Sequence, residues 1–283
     1  MKFEKITSRI GARVHGIDLS QPIDAAAVMA IRDGLDEHAV LFFVNQPKLS
    51  AAEHVRFASA FGEVEITPFQ TASSPVPEVM VLDQSEPRGQ GADHWHADST
   101  FLETPPMGAI LQAHVMPAVG GDTCFSSMCA AYEALSPAVR ALLDGLTAQH
   151  SPLPTLERTR GRALYKPVPE LETLPPVPHP VVTVNPRTGR RQLYVNANFT
   201  IAIEGLTRAE SDHWLRYLFA HIKSPEFQLR YRWNEGDVAF WDNQAVQHYA
   251  VADYASQRLM QRVTLVGERP ISIAGLPASR KAA

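Results

Sequence analysis

Cysteine is nearly missing from this chain of 283 residues: only Cys124 and Cys129 occur. Two thiols four positions apart build no disulfide framework and match no metal or redox spacing, so both read as small packing residues. Long apolar runs are missing as well. None approaches the roughly 18 residues that a membrane-spanning helix requires, and no membrane partner is expected. Excess positive charge is absent, with 26 basic against 30 acidic residues and a net charge of −4. No basic patch stands out, which argues against nucleic acid as a partner. The opening MKFEKITSRIGARVHGIDLS lacks the apolar core of a secretory signal, so the expected location is cytoplasmic. No internal repeat is visible.

What is present fits a soluble globular protein: 45% hydrophobic and 20% charged residues. A chain of this length can bury a substantial core, and one domain over 1–283 is expected. Proline is abundant at 22 residues. Eight of them fall in 151–180, SPLPTLERTRGRALYKPVPELETLPPVPHP, which carries no period. A connection that long in a compact domain predicts a functional lid or a partly disordered flap; the alternative is a plain surface excursion.

Helix signals are few and clear. Ser50 and Glu53 form a capping box ahead of Val55, Phe57, Ala58 and Phe61, with Gly62 as a stop. Thr207 and Glu210 form a second before SDHWLRYLFAHI. Ser136-Pro137 opens a helix that ends at Gly145, and Asp24 starts another over 24–38. Strand signals fill most of the remainder. AVLFFV (39–44) is a buried apolar run, and PVVTV and QLYVN flank a turn containing Pro186 and Gly189. In EFQLRYRW, Phe227, Leu229, Tyr231 and Trp233 alternate with polar residues, as on a strand with one buried face. VAFW and RLMQRVTLV (258–266) add two more strands. Irregular alternation of strand and helix argues against a parallel sheet. The predicted fold is mainly β, an antiparallel sandwich or jelly roll clad by helices.

The chemistry concentrates in DHWHADSTF (93–101). On an extended strand His94, His96 and Asp98 would share one face, which is either wet and idle or holds a metal. His-x-Asp alone is most often a surface strand or a capped turn. A third ligand must come from elsewhere, and His248 in FWDNQAVQHYAVADY is the best placed of the 11 histidines. His94 competes for a place, whereas His213 and His221 on the late helix read as surface or packing residues. Two imidazoles and one carboxylate match the facial triad of non-haem iron oxygenases, which leaves coordination positions open for a bidentate oxo acid and O2. Ten residues beyond His248 stands Arg258, and four further on Arg262, with the same parity on the predicted strand. Two guanidiniums on one face of an apolar strand require anions, from structural salt bridges or from ligands. A planar guanidinium suits carboxylates and sulfonates through paired charge-assisted bonds.

Over nearly its whole length the chain resembles the taurine dioxygenase family of Fe(II)/2-oxoglutarate-dependent oxygenases, which includes aryloxyalkanoate dioxygenases and alkylsulfatases. The resemblance rests on GIDLSQPI, WHADSTFLETPP, GGDTCFSSMCAAYEALSP, LYVNANFT, PEFQLRYRW, WDNQAVQHYAVADY and RLMQRVTL, in that order. It implies a double-stranded β-helix with His96, Asp98 and His248 as iron ligands. It further implies that Thr123 and Arg258 hold the distal carboxylate of 2-oxoglutarate, that Arg262 grips the substrate anion, and that Phe199 lines the substrate pocket. The implied reaction uses O2 to hydroxylate a small anionic organic substrate, a taurine-like sulfonate or related acid, with CO2 and succinate as co-products. A homodimer or homotetramer is implied on the same ground.

Departures bear on the substrate. Where taurine dioxygenases carry a histidine and a tyrosine that contact taurine, this chain has Thr67 and Gln70 in TPFQ. Ala92 replaces an asparagine near the taurine amine, and Ser99 replaces the valine after the metal aspartate. Most of the polar collar for a small zwitterion is therefore missing. The expected substrate is an anion larger or less polar than taurine, with aryloxyalkanoate and alkyl sulfate chemistry as alternatives. Two rival readings use the same residues: a mononuclear zinc or manganese hydrolase, which gives Arg258 no task, and a silent binding protein of the same fold.

Overall fold

Residues 40–43, Val-Leu-Phe-Phe, are buried on both sides of the backbone, and they show how the molecule is layered. Leu41 and Phe43 face a helix-covered layer with Phe57, Phe61, Ile110 and Phe240. Val40 and Phe42 face the opposite way, toward Phe125, Tyr231, Trp233 and Trp241. A strand covered on both faces reads as a continuous apolar run, which is why AVLFFV shows no alternation.

The structure, a computed structural model, describes residues 1–66, 76–85, 92–160 and 169–276. Its principal sheet runs in the order Lys2–Lys5, Ala12–His15, Val40–Phe43, Val238–Asp242, Gly108–Val115, Arg258–Leu265 and Val64–Glu65, with Val79–Gln84 also paired to Arg258–Leu265. Every pairing in it is antiparallel except Ala12–His15 with Val40–Phe43. A second sheet, Gln228–Tyr231, Thr123–Ser127 and Val246–Ala250, packs against the inner face. The two sheets form the expected jelly roll. A smaller three-stranded sheet joins Thr200–Ile203, Thr147–His150 and Val177–Pro180, and Val182–Val184 pairs with Arg191–Leu193 as the predicted hairpin.

The helices lie where their caps place them. Ala25–His38 starts at Asp24, and Ala51–Ser59 and Arg208–His221 start at intact capping boxes. Pro137–Leu143 follows Ser136. The second of these ends three residues before Gly62. Cys124 lies on a strand and Cys129 on the helix after it, both buried and unpaired as thiols. Among the described residues, no helix is long and apolar enough to cross a membrane.

One expectation changes. The stretch His94–Asp98 is no extended strand: only His96 pairs, through an isolated antiparallel bridge to His248, and Asp98 opens a turn. Alternation had no neighbouring ladder to sustain it. The described parts of 151–180 are ordered as helices Leu153–Thr159 and Pro169–Glu172 and strand Val177–Pro180. Leu171 is buried there with Phe101 and Phe199, so an apolar anchor organises a segment whose prolines conceal any period.

Candidate active site

The bridge between His96 and His248 is closed by two backbone bonds: His96 N donates to His248 O at 3.1 Å, and His248 N to His96 O at 2.8 Å. It sets the imidazoles side by side, with ring centroids 4.4 Å apart. The turn that follows returns Asp98 to them. Its Oδ1 lies 3.5 Å from His96 Nε2 and 3.8 Å from His248 Nε2. All three residues are buried.

The ring nitrogens can be assigned chemically. His96 Nδ1 is 2.8 Å from the His94 carbonyl, which can only accept, so Nδ1 carries the proton and Nε2 offers a lone pair. Burial pushes the His248 pKa down to about 3, and His96 and Arg262 add to the effect against Asp98; this ring is neutral near pH 7. Burial would raise the Asp98 pKa, but Arg262, His248 and His96 outweigh it and hold the group ionised, well below the usual carboxylate range. Two nitrogen donors and one carboxylate, with no thiolate, thus meet in a closed space. That donor set suits a divalent first-row metal with further positions open.

Two arginines from the strand Arg258–Leu265 reach the same cavity. Arg262 Nη2 lies 2.7 Å from Asp98 Oδ2, and its guanidinium sits over the Trp241 ring at 5.7 Å. Its Nε is buried and has no hydrogen-bond partner among the described residues. The anion that Arg262 requires is therefore supplied inside the protein by Asp98. Arg258 is different. It is 3% exposed, its Nε donates to Gly121 O at 3.0 Å, and its Nη2 has no hydrogen-bond partner among the described residues. Burial lowers its pKa, opposed chiefly by Tyr254, and among the described residues no carboxylate is ion-paired to it. A buried cation is expensive unless an anion meets it. Thr123, at the start of the central strand of the second sheet, also lines the cavity, its Oγ1 accepting from Trp233 Nε1 at 3.0 Å.

The remaining wall is largely apolar: Met80, Leu82, Leu111, Leu156, Phe199 and Trp241. Phe199 packs edge-on against Phe101 at 5.1 Å. Ser99 lines the cavity with a positive φ of 46°, a strained setting for serine, and Ala92 lines it too. Thr155, Leu156 and Thr159 bring the helix Leu153–Thr159 to the cavity; Thr155 Oγ1 donates to Asn198 O at 2.9 Å. Of the residues singled out in the sequence, His96, Asp98, Ser99, Thr123, Phe199, His248, Arg258 and Arg262 line this one cavity. Thr67 and Gln70 lie outside the described residues. His94 is turned to Asp93 at 3.0 Å with its side chain 46% exposed, and His221 Nε2 meets Ala131 O, so neither joins the cluster. Sequence reasoning missed Trp241, Asn198 and the threonines of the short helix. The first reads as core, and the others carry no signal apart from their position in space.

The chain matches the family model described as "Taurine catabolism dioxygenase TauD, TfdA family" over residues 2–264. It belongs to the TauD/TfdA dioxygenase family. Among its relatives, the alpha-ketoglutarate-dependent sulfate ester dioxygenase of Pseudomonas putida is 38% identical, over 95% of this chain and 91% of that protein. The alkylsulfatase of Acinetobacter baylyi is 35% identical over 98% and 88%. The crystal structure of a taurine dioxygenase from Burkholderia xenovorans superposes with a TM-score of 0.82 at 34% identity, covering 99% of this chain and 97% of that one. The jelly roll is that of the family's solved members, and His96, Asp98 and His248 stand together within it.

Proposed function

We propose that this chain is an Fe(II)/2-oxoglutarate-dependent dioxygenase that binds iron through His96 Nε2, the Asp98 carboxylate and His248 Nε2. One observation carries the reading beyond a bare metal site: the buried Arg258 guanidinium, whose Nη2 has no hydrogen-bond partner among the described residues, lines the same cavity as Thr123. Together they would hold the distal carboxylate of 2-oxoglutarate by charge-assisted hydrogen bonds. A hydrolase built on the same three donors leaves Arg258 without a task. When bound, iron, 2-oxoglutarate and O2 supply the oxidising power for hydroxylation, with CO2 and succinate as co-products.

The protein's own part is position and charge. Arg262 would take the substrate's anionic group, and Phe199, Leu156, Met80, Leu82 and Trp241 would enclose an apolar body. Ser99 would border the reacting end. Thr67 and Gln70 stand in the sequence where taurine dioxygenases carry a histidine and a tyrosine that contact taurine, and on that ground would contact the substrate. The helix Leu153–Thr159, within the proline-rich segment 151–180, would serve as a lid. Apolar walls, Ala92 in place of an amine partner, and sulfate ester relatives at 38% and 35% identity favour an alkyl sulfate over taurine. Hydroxylation at the carbon bearing the ester oxygen gives a product that collapses to an aldehyde and inorganic sulfate. Aryloxyalkanoates and sulfonates are the alternatives. The reading extends, on family resemblance, to a single catalytic domain acting as a homodimer or homotetramer in the cytoplasm.

Anaerobic titration with Fe(II) and 2-oxoglutarate is the direct test. A metal-to-ligand charge-transfer absorbance should appear only when both are present and should shift when the right anion is added from a panel of sulfate esters, sulfonates and carboxylates. Arg258→Ala should weaken 2-oxoglutarate binding by roughly 30-fold or more, because removing a buried charge-assisted contact costs about 2–5 kcal/mol. A metal-dependent hydrolysis that proceeds without O2 and releases no succinate would overturn the reading.

A further inference from the structure

We infer that Asn243, in the turn between the strands Val238–Asp242 and Val246–Ala250, is a positioning residue that fixes the Asp98 carboxylate for metal binding; this rests on the metal-centre reading above. Asn243 is fully buried. Its Oδ1 accepts from Asp98 N at 2.7 Å, and its Nδ2 donates to Asp98 O at 2.9 Å and to Pro106 O at 3.1 Å. Its own backbone N donates to Met107 O at 3.0 Å. One side chain thus reproduces both bonds that a neighbouring strand would offer to Asp98.

The geometry explains why such a device is needed. His96 is held to His248 by backbone pairing alone, and two residues later that pairing is lost because the chain turns. Asp98 would then depend on a turn containing Ser99 at a φ of 46°, a conformation that a serine keeps only when its surroundings over-determine it. Asn243 restores the missing pairing from the element that also leads into His248. It thereby ties the carboxylate to the same frame as both imidazoles, although it stands 145 positions away in the chain. The far side of the turn is fastened separately: Thr100 Oγ1 accepts from Asn196 Nδ2 at 2.9 Å and meets His150 Nδ1 at 2.9 Å. Neither clamp touches the carboxylate oxygens, so their effect reaches the metal through backbone position.

The test compares Asn243→Ala and Asn243→Asp with the wild type and with Gln244→Ala as a neighbouring control. Asn243→Asp keeps the acceptor for Asp98 N but sets an oxygen against the Asp98 and Pro106 carbonyls. Mn(II) binding is followed through the paramagnetic resonance of the free ion, and folding through circular dichroism and thermal melting. Both Asn243 variants should fold and lose roughly 10–100-fold in Mn(II) affinity, with an altered charge-transfer band for the anaerobic Fe(II)–2-oxoglutarate complex, while Gln244→Ala matches the wild type. Folded Asn243 variants that bind Mn(II) as the wild type does would overturn the inference. So would loss of folding in both, since that assigns the side chain to stability alone. A wild type that binds neither Mn(II) nor Fe(II) would remove the metal-centre reading, and this inference with it.

Discussion

Arg262 and Arg258 point into one cavity from one strand and yet differ in their electrostatic circumstances. Arg258 is enclosed and, among the described residues, forms no ion pair, whereas Arg262 already touches Asp98 at 2.7 Å. A substrate anion on Arg262 would therefore share that guanidinium with the carboxylate assigned to iron. Arg262→Ala should raise the KM for the anionic substrate steeply, by about 2–5 kcal/mol of lost contact, while the Fe(II)–2-oxoglutarate absorbance still forms. Retained affinity for every anion tested, together with weakened metal binding, would instead assign Arg262 to Asp98 alone. The residue types of this site were legible from parity and spacing: two imidazoles, one carboxylate, two arginines. The partner of Arg262 was not, because an ion pair between residues 98 and 262 depends on how distant segments fold together.

At the scale of the element, local signals proved the most legible. The capping boxes at Ser50 and Thr207 mark real helix starts because the bonds they make span only three residues. The alternation in His94–Asp98 misled for the converse reason: a strand needs a partner along its length, and only His96 has one. The loop ahead of Thr123 shows how backbone conformation supports the cation. Gly121 has a φ of 74°, its carbonyl accepts from Arg258 Nε, and a Cβ there would meet Pro117 Cγ at 3.0 Å and Arg258 Cδ at 3.2 Å. Gly121→Ala should cost about 1–2 kcal/mol in stability from left-handed backbone strain. It should also raise the KM for 2-oxoglutarate more than the KM for substrate, which steady-state kinetics with each varied in turn would check. Equal changes in both would indicate that the loop serves the whole cavity.

At the scale of the whole molecule, buried imidazoles govern the response to acid. His54, His150 and His248 are each pushed down to about 3, chiefly by burial. The unfolded chain binds their protons below about pH 6.5, whereas the folded protein does not until pH approaches 3. Their contribution to stability is thus complete above pH 6.5 and declines as pH falls toward 3, by roughly 1.4 kcal/mol per pH unit for each group. His54 lies on the helix Ala51–Ser59, away from the candidate site, and offers a clean test. His54→Leu should flatten the fall in unfolding free energy between pH 6.5 and pH 4.5 by about one proton's worth, as read by denaturant titration at each pH. An unchanged slope would show that this ring is not held neutral.

The sequence by itself determined the layers and the chemistry. Apolar runs such as Val40–Phe43 have to be covered on both faces, and His96, Asp98, His248, Arg258 and Arg262 supply the donors and charges, since composition and short-range period are properties of the chain alone. Only the tertiary structure decided which of those groups meet. The His96–His248 bridge, the Asn243 clamp on Asp98 and the burial of Arg258 against Gly121 join residues far apart in sequence, and no local energy selects them. They arise because closing two sheets over a shared core leaves one place where these backbones can pair, and the polar groups trapped there have to satisfy one another or a ligand.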